Sequence, residues 1–289
     1  MYYNLSNNEL REISKKSIES LEIWARRLIN EKMVEKYGED YIHYQLADGN
    51  YLIKKEIRLY VENMRKNEPT RYRRDIDTLL FDHILYFLCK QDLYNALFED
   101  ALKYAYPQGV NEVRIFLERL IPIRNALSHS NPISVHQAEQ AICYSNDFIS
   151  GLKEYYKEMG KEKVWNVPSI IKVSDSLGNV FDNLELEEGK VVPGSLIGIE
   201  QPLYCGDTYS IEIEIDSSFS SEEYTIKWSD NYVYVKEYDN KQKFIKEVAI
   251  TDIGELHVIE CYVTQNKEWH RYTTFDSRII VHLTVLPPQ

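Results

Sequence analysis

The spacing of apolar residues changes period once along this chain, near Gly160, and that change limits the fold more than any other feature. Before it, apolar residues recur at steps of three and four. After it they alternate: Tyr209-Ser-Ile-Glu-Ile-Glu-Ile215 sets Ile211, Ile213 and Ile215 on one side and Ser210, Glu212 and Glu214 on the other. Steps of three and four line one face of a helix, and strict alternation lines one face of a strand. The expected fold class is therefore multi-domain α and β. An all-α bundle is expected over 1–160, a linker with some extended character over 161–177, and an all-β sandwich over 178–289.

Local chemistry supplies the helix ends. Ser6-Asn-Asn-Glu9 and Ser134-Val-His-Gln137 both have the form of a capping box, a hydroxyl with a carboxylate or amide three residues on. Leu10, Ile13, Ser17, Leu21, Trp24 and Leu28 follow the first box as one expected buried face, and Gly38 is the expected stop. Further helices are expected around Ile53–Met64, ended by Pro69; over Ile76–Lys90; in a short piece capped by Asp92; over Val110–Leu127; and from Ser134 to Gly160. His83 falls on an apolar helix as a packed or surface histidine. Arg71-Tyr-Arg-Arg74 reads either as a solvated connection or as an RNA-facing patch in which Tyr72 stacks on a base.

In the second half, strands are expected at Val191–Ile199, Tyr209–Ile215, Tyr224–Trp228, Tyr232–Lys236, Phe244–Ile250, Glu255–Thr264 and Arg278–Leu286. About seven short strands with turn signals between them suggest a sandwich. Ile226-Lys-Trp228 resembles the strand bearing the core tryptophan of immunoglobulin-like domains, and Gly254–Val263, with Cys261, resembles their late cysteine-bearing strand. The earlier cysteine position falls in the all-isoleucine strand, so no disulfide between sheets is implied.

Charge separates the halves. Residues 1–160 carry 22 Lys+Arg against 24 Asp+Glu, whereas 161–289 carry 12 against 22, a formal −10. The second half repels phosphate backbones, so any nucleic-acid contact is expected in the first. Cys89, Cys143, Cys205 and Cys261 form no CxxC pair, which argues against a zinc site or disulfide scaffold and for a reducing cytoplasm. The N-terminal residues lack the apolar core of a secretory leader, and no run approaches the roughly 18 apolar residues that span a bilayer. No membrane association, metal or cofactor is expected.

One short stretch, Arg124-Asn-Ala-Leu-Ser-His129, brings polar residues suited to acid–base chemistry into packing sequence, with Pro122 before it and Pro132 after it. Asn125 and His129 are four apart and share a helix face; Arg124 and His129 are five apart and do not. A kink at Pro122 with a helix end at His129, or a second copy of the motif from another chain, are the two ways to bring them onto one substrate. Arginine offers a permanent charge and a planar fork for phosphate oxygens. Histidine gives and takes protons near neutrality. Without clustered acids this is a poor metal site and a reasonable metal-independent phosphodiester-cleaving site. RNA would supply its 2′-hydroxyl as nucleophile, which DNA lacks.

This stretch resembles the HEPN superfamily, whose ribonuclease members carry an Arg-x(4–6)-His motif with a polar residue after the arginine; here these map onto Arg124, Asn125 and His129. Glu19-Ser-Leu-Glu-Ile-Trp24 with Lys36-Tyr-Gly-Glu-Asp40 is similar to the first helix of HEPN domains in abortive-infection and toxin proteins, and Asn131-Pro-Ile-Ser134 to the turn after their histidine. The resemblance covers about residues 5–158. It implies a homodimer with the two motifs lining a shared cleft, and metal-independent endoribonuclease action leaving a 2′,3′-cyclic phosphate. It further implies a toxin or antiviral-defence effector held in check by an inhibitory or sensor protein partner or by the fused domain. The alternative is a catalytically inactive HEPN module that dimerises and binds, with Arg124, Asn125 and His129 serving only to finish a helix.

Overall fold

The computed structural model describes residues 5–69, 71–72, 74–182 and 194–288. The chain forms two compact units, Met1–Gly160 and Lys161–Gln289, the first helical and the second built of sheets.

The helices of the first unit are α1 (Asn7–Tyr37), α2 (Lys55–Asn67), α3 (Phe81–Cys89), α4 (Gln91–Leu93), α5 (Glu99–Leu102), α6 (Val110–Ser128) and α7 (Val135–Glu158). A π-helical turn, Tyr94–Phe98, joins α4 to α5. Both capping boxes form. The Ser6 hydroxyl accepts from the Glu9 amide while Glu9 accepts from the Ser6 amide; Ser134 and Gln137 do the same. Each box satisfies amides that the first turn of a helix leaves without partners. Gly38, at φ 83°, closes α1, a backbone conformation that glycine adopts without steric cost.

Of the expected buried face of α1, Leu10, Leu21, Trp24 and Leu28 are buried, while Ile13 is exposed and Ser17 half-buried; the face is wider than expected. Ser14, Ile18 and Ala25 are buried as well. The cause is the neighbour: α1 lies along α7, and Trp24 meets Tyr156, whose hydroxyl donates to Glu31 at 2.8 Å. Asp92 does not cap a helix; Lys90 holds that position and Asp92 sits in the first turn of α4. His83 is a packed histidine, its Nδ1 accepting from the Leu80 amide at 3.3 Å and its ring edge-on to Tyr60. At Gly151 a Cβ would lie 2.8 Å from the Ala105 Cβ and 2.9 Å from its backbone nitrogen, so α7 approaches the segment after α5 closely enough to require glycine.

The second unit opens with a short helix, α8 (Glu162–Trp165), then β1 (Ile170–Asp175) and β2 (Val180–Asp182). The expectation of a linker over 161–177 is therefore corrected. β1 is an interior strand of a sheet ordered β2-β1-β5-β8, with β5 at Thr208–Ile215 and β8 at Lys243–Glu247. Ile170 and Val173 fill the core, and their bulged pairing to β5 obscures the alternation in sequence. The second sheet is ordered β3-β10-β9-β6-β7, from β3 (Ser195–Gly198), β10 (Ser277–Leu286), β9 (Gly254–Gln265), β6 (Tyr224–Asp230) and β7 (Val233–Tyr234); β4 (Leu203–Tyr204) also pairs with β10. The strand expected over Tyr232–Lys236 shrinks to β7, because Tyr232 belongs to the preceding turn. Of the strand expected at Val191–Ile199, residues 191–193 lie outside the described residues.

The two sheets share one core. Trp228 of β6 stacks on Phe244 of β8, ring centroids 5.3 Å apart, and Trp228 Nε1 donates to the Lys241 carbonyl at 2.8 Å. Cys261 lies opposite Trp228 on β9, buried and free. No helix among the described residues is long and apolar enough to cross a membrane.

Candidate functional site at the end of α6

Helix α6 buries Val110, Val113, Leu117, Leu120, Ile123 and Leu127, which recur at steps of three and four. Pro122 lies on its exposed side, and the helix runs on through it to Ser128. The end is a Schellman motif: the Ser130 amide donates to the Leu127 carbonyl at 3.1 Å and the Asn131 amide to the Ala126 carbonyl at 2.8 Å. His129 is the C-cap residue, and Ser130 takes the left-handed conformation, φ 57°, where glycine is usual. Pro132 follows as a stop, and Ser134 opens α7. Ser130→Gly is therefore expected to stabilise the protein by about 0.5–1 kcal/mol, read as a higher urea midpoint with unchanged slope. A lower midpoint would show that the serine side chain matters more than the backbone strain.

This ending decides where the motif points. Asn125 and His129 are exposed on the outer side of α6, and the His129 amide donates to the Asn125 carbonyl at 3.1 Å. Arg124 sits at the border of the buried face, its side chain 29% exposed. Its Nε lies 3.4 Å from Glu22 Oε1 on α1, while Glu22 Oε2 is held at 2.7 Å by Arg26, which also donates to the Leu79 carbonyl at 2.8 Å. Among the described residues, Arg124 has no other side-chain partner, and the Asn125 and His129 side chains have none. One face of the Arg124 guanidinium is thus anchored, and its terminal nitrogens remain available to an anion.

The structure brings Asn125 and His129 to one face and leaves Arg124 roughly 140° around the helix from His129. The three side chains form no hydrogen bond to one another among the described residues. Glu22 and Arg26 escaped the sequence reading. The available signal was a Glu and an Arg four apart on the flank of an otherwise apolar stripe, but nothing local links position 22 to position 124.

The arginine patch after α2 is held by acids. Arg71 pairs with Glu68 at 2.9 Å and Arg74 with Asp77 at 2.7 Å, which favours the solvated connection over an RNA-facing patch; Arg73 lies outside the described residues. Asp40, His43 and Asp75 bring potential metal-ligand atoms within 4.8 Å of one another. Both His43 ring nitrogens face carboxylates, Nδ1 toward Asp40 at 2.8 Å and Nε2 toward Glu62 at 2.9 Å. Burial works to lower its pKa, but the bonds to Asp40 and Glu62 outweigh it and raise the pKa. An imidazolium so held is an ion-pair partner rather than a metal ligand.

No family model matches this chain, and no curated protein matches it.

Proposed function

We propose that the first unit is a HEPN ribonuclease that cuts RNA without a metal, with His129 as the proton-transferring group, Arg124 gripping the phosphate and Asn125 orienting one of them. The observation that carries this reading is the end of α6. A histidine and an asparagine stand exposed on one face, with a half-anchored guanidinium around the same helix, and the turn that ends the helix is held by a Schellman motif. The 2′-hydroxyl attacks the adjacent phosphate as the His129 imidazole takes its proton; the charge that builds on the phosphoryl oxygens falls to Arg124; the P–O5′ bond breaks as the imidazolium returns that proton to the 5′-oxygen, giving a 2′,3′-cyclic phosphate and a 5′-hydroxyl. Because Arg124 and His129 of one chain point apart, the complete site draws one of them from a second copy, so the active species is a homodimer. Toxin or antiviral-defence action in the cytoplasm, restrained by a partner protein or by the second unit, is the context this reading suggests.

The second unit we read as immunoglobulin-like. The order β10-β9-β6, with Trp228 beside the cysteine-bearing strand, supports that reading.

The test is incubation of the purified chain with single-stranded RNA and with DNA of the same sequence, both in EDTA. RNA cleavage with cyclic-phosphate ends and intact DNA is the expected result. Cleavage that EDTA stops would remove the metal-independent mechanism. One observation favours the inactive binding module instead: the Arg124–Glu22–Arg26 network is also what a purely structural arginine would make. Complete inertness toward RNA, with a stable dimer in solution, would decide for that module.

A further inference from the structure

The outward face of the second sheet carries a recess that the ribonuclease reading does not use. β6 and β9 alternate, so Ile226 and Trp228 with Cys261 and Val263 face the core, and Lys227 and Ser229 with Glu260 and Tyr262 face away from it. A carboxylate on an outward position is ordinarily solvated, yet Glu260 is only 2% exposed. Ser229 Oγ donates to its Oε2 at 2.9 Å, Tyr262 OH donates to the same oxygen at 3.0 Å, and Arg278 pairs with Oε1. Glu260 is thus the polar floor of a cavity of about 530 Å³ whose walls include Tyr232, Tyr234, Tyr262 and Lys227. That volume suits a small ligand.

The turn that builds one wall is informative. Asn231 and Tyr232 form the two-residue loop between β6 and β7, both left-handed, at φ 45° and 66°. Such a type I′ turn favours Asn-Gly, and a bulky residue in its second position is strained. Asn231 suits its place: its Oδ1 accepts from the Val258 amide at 3.0 Å, pinning the hairpin to β9. Tyr232 has no such justification, since its side chain is 71% exposed. A ring kept on a strained backbone without packing there is placed to contact a ligand in the recess that it lines.

We propose that this recess binds a neutral, hydroxyl-rich ring, a sugar residue of a glycan. The C–H face of a pyranose stacks on the tyrosine rings, and its hydroxyls meet Lys227, Thr264, Thr274 and the remaining acceptor capacity of Glu260. A polyanion is disfavoured, because the surrounding unit is acidic and Glu260 already compensates Arg278.

The test is saturation-transfer NMR on the full chain with maltotriose, cellotriose, chitotriose, mannotriose and ribose, with adenosine and uridine alongside. Transfer to sugar ring protons is expected for at least one, with a dissociation constant at least tenfold weaker in both Tyr232→Gly and Tyr234→Ala. Tyr232→Gly should also raise the unfolding midpoint by a few degrees, since the strain goes and no contact is lost. His129→Ala should leave sugar binding unchanged, so this result is independent of the ribonuclease result. No transfer to any sugar, transfer to the nucleosides alone, transfer unaltered in Tyr232→Gly, or a lowered midpoint in that variant would each overturn the proposal.

Discussion

His129→Ala is expected to lower RNA cleavage by about 10²–10⁴-fold while leaving the protein as stable as before. The loss follows from removing the group that moves the proton. The unchanged stability follows from position: the side chain is exposed, and among the described residues it has no partner, so truncation should fall within about 0.5 kcal/mol. This separation makes His129 a cleaner probe than Arg124. Arg124→Ala should lose activity to a similar degree, but it also strips Glu22 of a cation, and Glu22 is 10% exposed. Part of any effect there is structural. Arg124→Lys distinguishes the two roles, because lysine restores the charge and not the planar fork. Rates should be compared with urea midpoints for all three variants. A His129→Ala protein that cuts RNA at the original rate would end the assignment of His129 as the proton-transferring group.

Trp228→Ala is expected to cost about 3–5 kcal/mol, the largest stability effect of any substitution proposed for the second unit. The side chain is fully buried, spans both sheets through its stack on Phe244, and uses its indole N–H on the Lys241 carbonyl. Truncation leaves a cavity between the sheets and orphans that carbonyl together. Trp228→Phe should cost less, because most of the stack survives and chiefly the hydrogen bond goes. Calorimetric unfolding of the two variants checks the order. Equal losses would mean that the hydrogen bond, and not the packed area, is what Trp228 supplies.

How much of this was legible in the amino-acid order depends on the range over which each interaction acts. The capping boxes at Ser6 and Ser134, the stop at Gly38 and the strand at 208–215 are set by residues within four positions of one another, and sequence shows them directly. The shared side of Asn125 and His129 at the end of α6 was legible for the same reason: these residues and the polar turn after them are neighbours in the chain. The strand β1 was not, because a bulge shifts its register against β5 and breaks the alternation that marks a strand. Nor was the turn position of Tyr232, since tyrosine beside β-branched residues reads as strand and only the pairing of Asp230 with Val233 puts it in a two-residue turn.

By itself, then, the chain's sequence determined the order of a helical unit before a β unit, the caps, and the placing of Asn125 and His129 on one side of α6. Only the tertiary structure decided that α1 also turns Ser14 and Ile18 inward, that Glu22 anchors Arg124 across about a hundred positions, and that Glu260 becomes the floor of a recess. The physical reason is that local order follows from backbone sterics and short-range hydrogen bonds. Which polar groups are desolvated together depends on surfaces that meet only when distant segments pack.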